Sequence, residues 1–186
     1  MADDRFPRLV SLACHDLRTP LATVYGFART LTRLEDPDER TSRFLGMIEE
    51  AAEQMADLLD ALAAAARIEA GGWEPVLREV DTLVLARAGG EGVAAEGVGV
   101  EVRTEADAIE RALRALAAAA LRYGPVTHVV WNVDGAELRL APVSAQAAPV
   151  VTGESQRDLG SLVARMVIEE LGGSLELAGE TLRVRL

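Results

Sequence analysis

The stretch Cys14-His15-Asp16-Leu17-Arg18-Thr19-Pro20-Leu21 holds the residue types and spacings most suited to chemistry in this chain. A neutral imidazole is a good nucleophile toward phosphorus, and phosphorylating its nitrogen gives a transferable, high-energy group. Asp16 is placed to accept the proton of the other ring nitrogen, which fixes the tautomer and sharpens the attacking nitrogen. Thr19 lies one turn beyond Asp16 on the same side of a helix and could orient a water for hydrolysis. Pro20 cannot donate to the carbonyl of Asp16, four residues back, and is expected to kink the helix just below the histidine. Alone on a helix, a histidine is more often structural than catalytic. The set His15, Asp16 and Thr19, with Pro20 behind it, lifts this one above that reading.

Such a set needs a rigid support. Residues 6–34 read as one helix, with apolar residues at Leu9, Leu12, Leu17, Leu21, Val24, Phe27, Leu31 and Leu34, spaced by threes, fours and fives. Glu35-Asp36-Pro37-Asp38-Glu39 makes a short acidic turn. A second helix, 38–70, is expected to be buried through Phe44, Ile48, Ala51, Met55, Leu58, Leu59, Leu62 and Ala65, and Gly71-Gly72 stops it. Two helices of about thirty residues are each about 45 Å long at ~1.5 Å rise. Joined by a short turn they form an antiparallel hairpin, which cannot enclose both of its apolar faces. Pairing with a second copy as a four-helix bundle is the simplest remedy, so a homodimer is expected.

His15, Arg18, Ala22, Tyr25 and Arg29 advance by three and four and form one stripe along the first helix. The motif from His15 to Leu21 resembles the phosphoacceptor box of bacterial sensor histidine kinases, His-Glu/Asp-x-x-Thr-Pro-Leu in the first helix of a dimerising hairpin. The likeness extends through Leu21-Ala22-Thr23-Val24-Tyr25-Gly26-Phe27. It implies that His15 carries phosphate, and that Arg18, Ala22, Tyr25 and Arg29 would suit docking of a response-regulator receiver domain. A plain solvated helix face is the competing reading of that stripe.

After Gly72 the texture changes. Val80–Ala95 is helix-like, and Gly97–Arg103 alternates like a strand. Asp107–Tyr123 is a strong helix, and Val126–Val133 and Ala136–Leu140 are strands joined at Asp134-Gly135. Residues 142–156 read as a loop. Leu159–Leu171 is a helix closed by Gly172-Gly173, and 174–177 and 181–186 form a strand pair. That order suggests an α+β chain in which the hairpin, residues 1–72, is followed by a two-layer sandwich over 73–186.

Order and spacing in 73–186 resemble the ATP-binding domain of the same kinases, but the nucleotide motifs are damaged. The Asn-rich box of the family appears as Leu113-Arg114-Ala115-Leu116-Ala117-Ala118-Ala119-Ala120-Leu121-Arg122-Tyr123. Leucines and tyrosine keep register, while Ala115 and Ala119 stand at the asparagine positions. The second of these holds Mg²⁺ in the family, and an alanine offers a hard cation no oxygen. The chain's only asparagine, Asn132, lies in a strand. The Asp-x-Gly-x-Gly region reads Leu140-Ala141-Pro142-Val143-Ser144, with neither aspartate nor glycine. The Gly-x-Gly-Leu phosphate loop reads Asp158-Leu159-Gly160-Ser161, so one glycine survives and Asp158 places negative charge where a triphosphate would meet a helix N-terminus. The intervening lid is short. Packing residues such as Ile168–Leu175 match well. The pattern implies a degenerate nucleotide site, with no cofactor.

Composition narrows the rest. Apolar residues are 49% of the 186, with aromatics at 4%, which favours helices packed through small and aliphatic side chains. A net charge of −11, with no lysine, argues against a nucleic-acid partner. Cys14 is the single cysteine, so neither an internal disulfide nor a cysteine zinc cluster is available. Glu49-Glu50 and Glu169-Glu170 read as solvated faces, and His128, Trp73 and Trp131 as structural, so no metal site is expected. No apolar run approaches the ~20 residues of a membrane span, and the N-terminus lacks signal-peptide character, which points to a cytoplasmic chain with no membrane partner.

Three functions follow from the resemblance. The leading one is a dimeric histidine phosphotransferase, without ATP of its own, exchanging phosphate between His15 and receiver domains, with an upstream histidine kinase as a further candidate partner. The others are an atypical kinase or receiver phosphatase, and a non-catalytic pseudokinase that binds a receiver.

Overall fold

The computed structural model describes residues 5–34, 38–155 and 157–186, with the side chains of 5–9, 11–13, 16 and 34 left outside the description. The expected core roles of Leu9, Leu12 and Leu34, the carboxylate of Asp16 and the Glu35-Asp36-Pro37 part of the turn therefore lie outside what is described. The chain divides into two compact units, Met1–Gly72 and Trp73–Leu186.

The first unit is a helical hairpin of α1 (Arg5–Leu34) and α2 (Glu39–Glu69), and α1 continues through Pro20. Asp38 caps α2, its carboxylate accepting from the Thr41 backbone N–H at 2.8 Å. At the other end Gly71 adopts φ +63°, and the Gly71 and Gly72 N–H groups bond back to the Ile68 and Arg67 carbonyls.

The seam between the helices is thin and built from small side chains. Cys14, Ala28, Leu45, Ala52, Ala63 and Ala66 are its buried apolar members among the described residues. Here the expectation from the apolar spacing needs correction. Phe44, Ile48, Ala51, Met55, Leu58 and Leu62 are not buried but exposed, as are Leu17, Val24, Phe27, Leu31 and Met47. The alanine rows bring the two helices together, and the larger side chains are left on the outside of the hairpin.

In the second unit β2 (Val93–Gly99), β4 (Val129–Gly135), β5 (Glu137–Ala141), β7 (Thr181–Arg185) and β6 (Ser174–Ala178) form one sheet in the order β2-β4-β5-β7-β6. Only β2 and β4 run parallel within it. One face is covered by α4 (Ala106–Tyr123) and α6 (Leu159–Glu170), whose buried stripes include Ile109, Leu113, Leu116, Val163, Val167 and Ile168. Alternate residues of the central strands (Val129, Trp131, Val133; Leu138, Leu140; Leu182, Val184) complete the core, as the period of a half-buried sheet requires. The chain is α+β, a helical hairpin followed by a mixed-sheet domain.

Three element expectations are corrected. The helix foreseen over 80–95 shrinks to α3 (Thr82–Ala86) and one 3-10 turn, preceded by β1 (Arg78–Asp81). Asp81 accepts from the Leu83 and Val84 N–H groups and starts the helix, and Gly90, at φ +91°, ends the turn. The single strand foreseen over 97–103 is two: β2 stops at Gly99, and β3 (Glu101–Thr104) pairs with β1 in a separate two-stranded sheet. Gly97 sits inside β2, two residues before its end. It lies at φ +114°, so near the Val133 backbone that a Cβ would fall 2.0 Å from its carbonyl oxygen. Finally, the loop foreseen over 142–156 contains a short helix, α5 (Ala148–Val151).

Candidate functional site

His15 is exposed on α1, while its neighbour Cys14 is 1% exposed and faces the hairpin seam. Consecutive helical residues point about 100° apart, so burying Cys14 turns His15 outward. Thr19 is exposed one turn further on, and its carbonyl accepts from the Thr23 hydroxyl at 3.0 Å.

Below the histidine the two helices enclose a cleft of about 320 Å³, lined by Arg18, Leu21, Ala22 and Tyr25 from α1 and by Ala52, Glu53, Ala56 and Asp60 from α2. Its apolar floor consists largely of small side chains and its rim is polar. Arg18 donates from Nε at 3.1 Å and from Nη2 at 2.5 Å to Asp60 Oδ1. The Tyr25 hydroxyl donates to Glu53 Oε1 at 3.1 Å. Arg29 donates to the Tyr25 oxygen at 3.3 Å and lies 5.8 Å from the ring centroid. Three members of the stripe, Arg18, Ala22 and Tyr25, thus come together in the cleft, and Arg29 joins through Tyr25.

The α2 wall was not foreseen from the sequence. Ala52, Ala56 and Asp60 recur every fourth residue, and the pairs Arg18–Asp60 and Tyr25–Glu53 are both symmetric about residue 39. Folding the sequence about that point would have placed each acid opposite its partner.

Residues 8–71 match the family model of the His Kinase A (phospho-acceptor) domain. The hairpin is phospho-acceptor-like, and the fold of the chain is histidine-kinase-like. Its fold agrees with solved structures across both units. Full-length ShkA in complex with AMPPNP superposes with a TM-score of 0.60 at 20% identity, over 96% of this chain and 44% of that one. The Acinetobacter baumannii histidine kinase AdeS gives 0.55 at 18% identity, over 92% of this chain and 96% of that one. The chain therefore spans less than half the length of ShkA. No curated protein matches it. At these identities the structural likeness speaks for the fold alone.

In the second unit, three of the positions that the resemblance ties to nucleotide, Ala115, Asp158 and Gly160, lie together. A Cβ on Gly160 would lie 3.2 Å from the Ala115 Cβ and 3.3 Å from Asp158 Oδ1. Asp158 caps α6: its Oδ1 accepts from the Ser161 N–H at 2.8 Å and the Ser161 hydroxyl at 3.0 Å, and its Oδ2 accepts from Arg122 at 3.2 Å. Ala119 is 1% exposed. Pro142 follows directly on β5, and the loop after it reaches the end of α4, where a Cβ on Gly124 would lie 2.9 Å from Ser144 Oγ. The Tyr123 hydroxyl donates to the Arg157 carbonyl at 3.1 Å.

Among the described residues no group of three or more histidines, cysteines and acids is placed to hold a metal ion. No described helix is long and apolar enough to cross a membrane.

Proposed function

We propose that this protein accepts and donates phosphate at His15 with receiver domains of response regulators, and does not draw on ATP of its own. Two-component signalling is the setting that the phospho-acceptor match supplies. In the forward step a ring nitrogen of His15 attacks the phosphorus of a receiver's aspartyl phosphate. The N–P bond forms as the O–P bond breaks, and the electron pair leaves with the receiver carboxylate. The proton on the other ring nitrogen passes to a base, the role we assign to Asp16. Thr19 is assigned to orienting water when the phosphoryl group is hydrolysed instead.

The observation that carries the ATP-free reading is the carboxylate of Asp158. It occupies the backbone donor at the α6 N-terminus, the place where a helix start would otherwise offer N–H groups to a phosphate. A triphosphate would have to displace that carboxylate and overcome its charge. Ala119 supplies no oxygen for Mg²⁺. The residues present do not suit Mg-nucleotide.

The exposed apolar side chains of the hairpin, Phe27 at 67% and Met47 at 59% among them, support pairing of two copies as a four-helix bundle. The cleft with Arg18, Ala22 and Tyr25 is assigned to receiver docking, Arg29 supporting Tyr25 from the next turn. An upstream histidine kinase is the further partner we assign, and the cytoplasm is the compartment that suits these partners.

Two measurements test this together. Calorimetric titration with Mg-ATP is expected to give no heat at millimolar nucleotide. A phosphorylated receiver is expected to label the unaltered chain but not His15→Ala. Micromolar ATP binding, or labelling that survives loss of His15, would overturn the proposal.

A further inference from the structure

We infer that Asp60 is a holding carboxylate for Arg18, and that Arg18 leaves it to bind the phosphoryl oxygens when His15 is phosphorylated. This rests on the phosphoacceptor reading of His15 and adds two residues that govern the phosphorylated state.

Residues three apart on a helix share a face, with Cβ atoms about 5–6 Å apart. Long helical side chains also lean toward the N-terminus and cover the turn before their own. An unrestrained Arg18 guanidinium therefore lies over the turn that carries His15. In the structure it is drawn sideways across the cleft instead, with Nε and Nη2 both on one oxygen of Asp60.

That arrangement leaves the parallel fork of an arginine–carboxylate pair unused. The two side chains are 45% and 40% exposed, where an ion pair is held only weakly. A phosphoryl group on the imidazole presents several charged oxygens and accepts the fork in its bidentate form. Beneath the pair the cleft is floored by Ala22 and Ala56, so no bulky side chain pins the guanidinium against α2. Arg18 thus has a weak partner on one side and a stronger one that appears only after transfer.

The test uses the full chain and phosphoramidate, a small phosphodonor that needs no receiver. The ring nitrogen forms the N–P bond, and ammonia leaves with the electron pair of the broken P–N bond and takes the proton released by the imidazole. Loading and decay of the N–P group are followed by phosphorus NMR. One exchanged, exposed charge contact corresponds to a change of about fivefold. Arg18→Ala is expected to load about fivefold more slowly and to lose the group faster. Asp60→Asn is expected to load faster and to keep it longer, and the double variant to behave as Arg18→Ala.

The charge-swapped pair Arg18→Asp with Asp60→Arg keeps an ion pair across the cleft but moves the cation off α1. It is expected to be as slow as Arg18→Ala. Normal loading by the swap, slowing by Asp60→Asn, or no effect of either single change would make the pair a structural clasp and overturn the inference. No N–P signal from the unaltered chain, matching His15→Ala, would overturn the phosphoacceptor reading and this inference with it.

Discussion

Gly160 and Ala115 stand so close that a Cβ on the glycine would come within 3.2 Å of the alanine's. Both positions belong, by resemblance, to nucleotide contacts, yet here the start of α6 packs directly on the middle of α4. Restoring one magnesium ligand does not reopen such a seam. Ala119→Asn is expected to show no heat with Mg-ATP, because the Asp158 carboxylate still caps α6 and Gly160 still abuts Ala115. Detectable binding by that single variant would mean the seam opens readily.

Asp158 should instead matter for stability. Its side chain is 11% exposed and satisfies both the Ser161 N–H and hydroxyl. Asp158→Ala removes an N-cap and is expected to cost the second unit about 1 kcal/mol, read as a lowered midpoint in denaturant. An unchanged midpoint would show that the carboxylate is dispensable there.

The outer faces of the hairpin carry the next expectation. Phe27 is 67% exposed and Leu58 51%. Replacing either with glutamate is expected to shift the chain from dimer to monomer in sedimentation, since a charge buried at an apolar contact is costly. A monomeric unaltered chain would remove the four-helix bundle.

Much of this was legible in the residues. Helical periodicity located α1, α2, α4 and α6, because each presents an apolar stripe several turns long. The same periodicity did not tell which residues close the seam within one hairpin: Phe44, Ile48 and Met55 share their stripe with alanines, and the alanines win that seam. The segment 80–103 misled for a different reason. Asp81 acts through a cap, Gly90 through a positive-φ turn, and Gly97, a positive-φ residue within β2, answers to the backbone of Val133, far away in sequence. The phospho-acceptor motif around His15 was readable from local spacing. The α2 wall of the cleft was not, because Glu53 and Asp60 gain meaning only from the hairpin register.

Gly97 itself gives a sharp test of packing. Gly97→Ala forces a Cβ to within 2.0 Å of the Val133 carbonyl oxygen at a φ of +114°. It is expected to cost more than about 2 kcal/mol, seen as early melting of the second unit. Near-normal melting would mean β2 can part from β4 at that point.

Acid should weaken the second unit through Glu137. Its carboxyl is held below the ordinary glutamate range, first by the hydrogen bond from Arg139 and then by that from Arg185. A carboxyl whose folded value lies below its unfolded one adds stability that is complete above the unfolded value. That stability is lost as pH falls through the folded value. Denaturant midpoints are therefore expected to fall below about pH 4.5, and Glu137→Gln to flatten that limb. An equally steep limb in the variant would assign the effect to other carboxyls.

Filling the cleft separates docking from chemistry. Ala22 and Ala56 floor the space between Arg18–Asp60 and Tyr25–Glu53, and an indole at either would occupy much of its 320 Å³. If a receiver seats a side chain there, Ala56→Trp should slow transfer from a phosphorylated receiver at least about tenfold, the effect of losing one well-packed anchor. His15 is exposed on α1, outside the residues that line the cleft, so phosphoramidate should still label it, slowed no more than the about fivefold expected for an Arg18 pinned against α2. Loss of both reactions would mean that the tryptophan distorts the hairpin. Loss of neither would place the receiver on another face of α1, leaving Arg18 and Tyr25 to hold the two helices together.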